Sequence, residues 1–218
     1  MRVGFSLTKV ENNLLGALQN MAALAWMDAL FGSFVWPQLT NVHRIEGGGT
    51  EFPMVIMDGS ASEGLIVHET GHQYVHGILA NNEWKEGWLD EGVDDFLTTW
   101  YAVEMLGVPA EQMWGRTIQG LTQIEARAQS EPIALESAQF RDYQSYGRMT
   151  YSKTGVVIYM LREYLGDDVF RRALRAFYDE HKLKHIRGVD FFDTFERVSG
   201  QDLDWFHRQW FERTDRLD

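Results

Sequence analysis

His68, Glu69 and His72 form an HExxH pattern, and Glu91 follows His72 after an 18-residue spacer. On a helix, residues four apart lie one above the other on one face, so both imidazoles can close on a single cation. Two imidazoles and a carboxylate suit zinc, which in catalytic sites keeps its fourth position for water and lowers the pKa of that water towards neutrality. Glu69 stands beside such an ion as the group that takes the proton. The expected centre is therefore one Zn2+ ion held by His68, His72 and Glu91, with Glu69 as general base. His76 extends the same stripe. Three ligands strung over two successive turns cannot readily surround one tetrahedral ion, so His76 is expected outside the ligand set. Asp94 and Asp95 share the helical face of Glu91 and are candidates to accept the free N–H of a ligand His.

These side chains call for two helices. The HExxH falls in a helical stretch near residues 62–79, and Glu91 near the start of the next, residues 87–106. A turn at Asn81-Asn82 would make the two antiparallel and return Glu91 to the His pair. Upstream, residues 12–31 carry Leu14, Leu15, Leu18, Met21, Leu24 and Ala25 at helical spacing, a helix expected to pack on the core through them. Residues 39–45 and 52–57 read as short strands, separated by Gly47-Gly48-Gly49 and ended by Asp58-Gly59. Helical patterns recur near 109–128, 149–165, 167–181, 189–198 and 203–211, with Pro109, Gly166, Gly188 and Gly200 between them. Residues 130–146 lack periodicity and read as a loop bordering a substrate cleft. The expected architecture is a mostly helical α+β domain spanning residues 1–218, with a small sheet at about 39–57.

Composition agrees with a packed domain, since 44% of residues are apolar and 13% aromatic. A net charge of -12 excludes a nucleic-acid partner, because phosphate binding needs a concentrated basic surface. With no cysteine, neither a disulfide nor a thiolate metal site can form. The first residues show no secretory leader pattern and no stretch is long enough for a membrane span, so the chain reads as soluble and its compartment is left open.

The chain resembles the zinc aminopeptidases of the aminopeptidase N and leukotriene A4 hydrolase type, gluzincins with a thermolysin-like catalytic domain. The resemblance rests on the HExxH with its Glu after 18 residues, and on Trp88-Leu89-Asp90-Glu91-Gly92, similar to the family's third-ligand segment. It rests also on Gly48-Gly49-Thr50-Glu51-Phe52-Pro53, similar to a Gly-x-Met-Glu exopeptidase motif, and on Tyr151-Ser152-Lys153, similar to a Tyr-x-Lys-Gly segment. It implies that Glu51, with Gly48 and Gly49, binds a peptide substrate through its free N-terminus, and that an edge strand from Phe52 onward aligns it. It also implies that Tyr151 donates to the oxyanion. Thr50, Phe52 and Thr154 depart from the family pattern. From the same resemblance the family's N-terminal β domain is expected to be absent from this chain, with a face left for contact with a flanking domain. The competing readings are a zinc endopeptidase of the same chemistry and a zinc-stabilised binding module without activity.

Overall fold

The structure is a computed structural model that describes residues 2–5 and 10–214. Strand β1 (Arg2–Phe5) leads into helix α1 (Val10–Leu30), then strands β2 (Gln38–His43), β3 (Gly49–Phe52) and β4 (Val55–Asp58). Their sheet runs β1-β2-β4-β3, with β1, β2 and β4 parallel and β3 antiparallel on the edge. The run 52–57 is thus not one strand. Pro53 has no N–H for a ladder and sits at the second place of a turn whose third, Met54, has φ 66. The chain reverses there, pairing Glu51 with Ile56 and making Gly49–Phe52 the edge strand.

Helix α1 is rotated relative to the large aliphatic residues of its first half. Leu14, at 65% exposure, Leu15, Leu18 and Met21 face outward, while Ala17, Asn20, Ala23, Leu24, Met27 and Leu30 are buried. Small residues on the inner face let α1 lie close to α2 (Glu63–Gly71), where the hydrogen of Gly16 points at the Ile66 side chain.

Helix α2 ends at Gly71, earlier than the sequence pattern implies. The chain then turns through His76, whose φ of 102 no α-helix accepts, into β5 (Leu79–Asn81). Strand β5 pairs in parallel with β6 (Lys184–Ile186), so the route from α2 to Glu91 is not a simple helical hairpin. A short 3-10 turn, Gly87–Leu89, leads into α3 (Glu91–Met105). Trp88 in that turn is buried edge-on to Phe191 and Phe211, with ring centroids 5.9 and 4.6 Å away, and so fixes where α3 starts.

Helix α4 (Ala110–Ala126) follows, and then the segment expected to be a loop, which contains α5 (Tyr143–Gly147). From α5 the helix continues through a π turn, Arg148–Lys153, into α6 (Thr154–Leu165). Tyr151 therefore lies inside a continuous helix rather than at a helix start. Helices α7 (Asp167–His181), α8 (Gly188–Ser199) and α9 (Asp204–His207) close the core with an aromatic cluster of Phe170, Phe177, Phe191, Phe195, Phe206 and Phe211. The fold is mostly helical with a small sheet. No helix among the described residues is long and apolar enough to cross a membrane.

Candidate metal centre

His68 is on the last turn of α2, His72 just past its end, and Glu91 at the first residue of α3. The Nε2 atoms of His68 and His72 are 3.2 Å apart, and each is close to Glu91 Oε2, at 3.3 and 3.2 Å. A tetrahedral zinc with ligands at about 2.0–2.1 Å places them about 3.3 Å from one another. The three donors thus form a triangle of the size that ion needs. The backbone of His72 is still helical, with φ -58 and ψ -16, and its N–H still bonds the His68 carbonyl, so the i, i+4 stacking survives the end of α2.

Both imidazoles are held from behind. Asp94 Oδ2 lies 3.0 Å from His68 Nδ1, and Asp90 Oδ1 lies 2.8 Å from His72 Nδ1; both carboxylates are fully buried. This fixes the tautomer that turns Nε2 towards the triangle. The expected role of Asp94 has its geometry here. Asp95 does not share it, for its Oδ2 faces Gly155 on α6. Asp90 carries no role of its own in the sequence motif around Glu91, although its place just before that ligand is a usable signal. Gly71 leaves room for Asp94, since any Cβ at residue 71 would overlap the Asp94 carboxylate.

The charges in this cluster suit a cation. Burial pushes the Glu69 carboxyl up to about 8 and that of Asp94 up to about 7, against the nearby imidazoles. Against its own burial cost, His68 is lifted to about 9 by the Asp94 charge and by its hydrogen bond to Glu91. Burial also opposes ionisation of Glu91, but bonds from both imidazoles and Tyr151 outweigh it and hold that carboxyl well below its usual range. Buried carboxylates in excess over two imidazoles are stable as ions only when a further positive charge joins them. The donor set fits a divalent ion of the zinc class.

The other expected residues surround the triangle. Glu69 is buried and its Oε2 has no hydrogen-bond partner. Gly49 lies so close that a Cβ there would overlap the Glu69 carboxylate, so the motif Gly49–Glu51 touches the base directly. Glu51 is half-buried on β3, its carboxyl raised by burial, with the charges of His72, Glu91 and Asp90 reaching it. Gly48, at φ 76, shapes the turn before β3 and lies beside Arg44 rather than at the triangle. The Tyr151 ring stacks on His68 at 6.2 Å, and its phenol donates to Glu91. Lys153 is buried, with Nζ 3.0 Å from Ser130 Oγ, and so anchors the segment after α4.

Two supports have no counterpart in the sequence reading. The buried Gln73 amide clamps the β3–β4 turn: the Met54 N–H donates to its Oε1 at 2.8 Å, and its Nε2 donates to the Phe52 carbonyl at 3.2 Å. Behind α2 runs a buried chain, in which Asn41 Nδ2 donates to Asp58 Oδ2 and Asn20 Oδ1, at 2.5 and 2.9 Å. Asn20 then donates to Thr70 Oγ1 at 2.7 Å. It ties α1, β2 and β4 to the middle of the HExxH. The 130–146 segment borders a groove of about 630 Å3 lined by Trp84, Phe140, Tyr143 and Tyr146. Tyr146 meets Tyr151 edge-on at 6.3 Å, while Tyr74 and Trp100 are buried in the core.

Known proteins are similar to this chain in sequence and in fold. Aminopeptidase 2 of Candida albicans is 25% identical over 144 residues, which are 64% of this chain and 15% of that protein. Aminopeptidase N of Lactococcus lactis is 24% identical over 162 residues, 68% of this chain and 18% of that protein. The chain thus spans under a fifth of the length of these curated relatives. In fold it is similar to the M1 zinc metallopeptidase from Deinococcus radiodurans, with a TM-score of 0.79 at 17% identity, over 92% of this chain and 45% of that one. Yeast LTA4 hydrolase superposes with a TM-score of 0.71 at 16% identity, over 90% of this chain and 35% of that one. Residues 55–210 match the Peptidase family M1 domain, a span that runs from the strand after Glu51 to the last buried aromatics, and the chain belongs to that family.

Proposed function

We propose that this chain is the catalytic part of a zinc aminopeptidase, which hydrolyses the first peptide bond of a substrate with a free amino terminus. The observation that carries the reading is the placement of Glu69, of Tyr151 and of the β3 edge that carries Glu51 around the triangle of His68, His72 and Glu91. His68, His72 and Glu91 would hold the zinc ion, which when bound supplies Lewis acidity and a water of lowered pKa. Asp94 and Asp90 keep the imidazoles turned to it. Glu69 takes the proton of the attacking water and returns it to the leaving amine, a task its buried and unpartnered Oε2 suits. Tyr151 turns its phenolic O–H from Glu91 to the substrate carbonyl oxygen as charge develops there. Glu51 binds the substrate ammonium, and the outer edge of β3 offers backbone groups to align the peptide.

The names of the relatives support the aminopeptidase reading, and a solved M1 structure from Deinococcus radiodurans is described as bound to a Tyr-Ser-Ala substrate. The test is a panel of aminoacyl reporter amides with and without zinc, run on the wild type and Glu69→Gln. The wild type should turn over only with zinc. Glu69→Gln should keep the metal and lose about 10²–10⁴-fold in kcat. Full activity in that variant with metal bound would remove the mechanism. Equal cleavage of free and N-acetylated peptides would instead indicate the endopeptidase reading and release Glu51 from amine binding.

A further inference from the structure

His76, Glu83 and Asp90 make a second cluster beside the first. One ligand atom from each lies within 4.8 Å of the others. Asp90 is fully buried, and its two oxygens face different histidines, Oδ1 at 2.8 Å from His72 Nδ1 and Oδ2 at 3.4 Å from His76 Nδ1, yet neither oxygen receives a hydrogen bond. A buried carboxylate oxygen without a donor is costly, and metal coordination is one way to satisfy it.

The cluster is also held in place from outside. The turn that carries Glu83 is closed by the Lys85 N–H on the Asn82 carbonyl at 2.8 Å. It is pinned by Ser137, whose hydroxyl donates to the Glu83 carbonyl and whose N–H donates to the Trp84 carbonyl, both at 3.0 Å. His76 has φ 102, a conformation that costs a non-glycine residue on the order of 1–3 kcal/mol. Glycine would sit there without strain, so the imidazole is retained against a backbone cost. An ion pair between His76 and Asp90 alone leaves Glu83 without a part in the cluster.

We propose that His76, Glu83 and Asp90 form a second divalent-cation site, joined to the first through Asp90. One imidazole and two carboxylates suit zinc or cobalt(II), and the exposed side of Glu83 gives the ion its way in. Asp90 then serves both centres, orienting His72 with one oxygen and binding the outer ion with the other.

The readout is metal content, which does not depend on peptidase activity. Stripped protein is dialysed against zinc, and bound metal per chain is measured by elemental analysis. Wild type should take up two equivalents. Glu83→Gln, a change on an exposed turn, and His76→Gly, which also relieves the positive φ, should each take up one. His68→Ala should lose the inner equivalent and keep the outer, which separates failure of this site from failure of the first. A wild type that saturates at one equivalent, or a Glu83→Gln variant that still binds two, overturns the proposal. Cobalt(II) in place of zinc gives the same count, and a second set of visible absorption bands absent from Glu83→Gln is the expected spectrum.

Discussion

At the scale of single residues, the centre depends on buried acids that never touch the ion. Asp94 illustrates this, since its carboxylate lies 3.0 Å from His68 Nδ1 in a space that only Gly71 leaves open. Asp94→Asn keeps the shape and removes the charge. Loss of such a partner typically costs 10–100-fold in metal affinity, so a loss of about that size is expected in competition with a chromophoric chelator. Asp95→Asn should leave affinity unchanged, because its carboxylate faces Gly155; equal losses in both variants would dismiss the orienting role. Tyr151→Phe should retain zinc and lose about 10²–10³-fold in kcat, as when one preorganised oxyanion donor is removed. An unchanged kcat would return Tyr151 to a packing role against His68 and Tyr146.

At the scale of elements, the ligands were legible because helical spacing and the chemistry of His and Glu are local properties. His68, His72 and Glu91 meet where the spacing places them. What the sequence hid was set by tertiary contacts. The end of α2 at Gly71 depends on the turn through His76, and the π turn under Tyr151 depends on packing against α3, where a Cβ at Gly92 would overlap Thr150 and Thr154. The buried face of α1 is not the one that Leu14, Leu15, Leu18 and Met21 mark, because Ala17, Asn20 and Ala23 share it with Leu24, Met27 and Leu30. Asn20 belongs there as part of the chain Asp58–Asn41–Asn20–Thr70, which fixes α2 on the sheet. Burial raises the Asp58 carboxyl from 3.8 to about 6 despite its bond from Asn41. Between those values the folded chain keeps a proton that the unfolded chain has lost, so this group's contribution to stability falls as pH rises through that window. Asp58→Asn has no such titration. In urea unfolding, the stability of Asp58→Asn relative to wild type should therefore grow by about 2 kcal/mol between pH 4.5 and 7.5. An offset that does not change with pH would show Asp58 to be ionised throughout.

At the scale of the whole molecule, the centre joins the sheet-and-α1 layer to the helical remainder. His68 and His72 come from the side packed on α1 and β4, and Glu91, Asp90 and Asp94 from the side that packs on the aromatic cluster through Trp88. The acids between them are buried in a chain that already carries a net charge of -12. A cation bound only by the folded state therefore adds to stability by mass action, about 2.7 kcal/mol at a free concentration 100 times its dissociation constant. In a domain of this size 1 kcal/mol moves the midpoint by roughly 2–4 °C. Chelation should thus lower the thermal midpoint by about 5–10 °C, and added zinc should restore it. His68→Ala, without the inner triangle, should respond less than the wild type to either treatment, keeping only the share that the outer ion contributes. Differential scanning calorimetry of both proteins with chelator, and then with zinc, decides the matter. A midpoint that ignores the chelator in the wild type would mean that the two sides are held together by packing alone, and that the buried acids are protonated rather than neutralised by a metal.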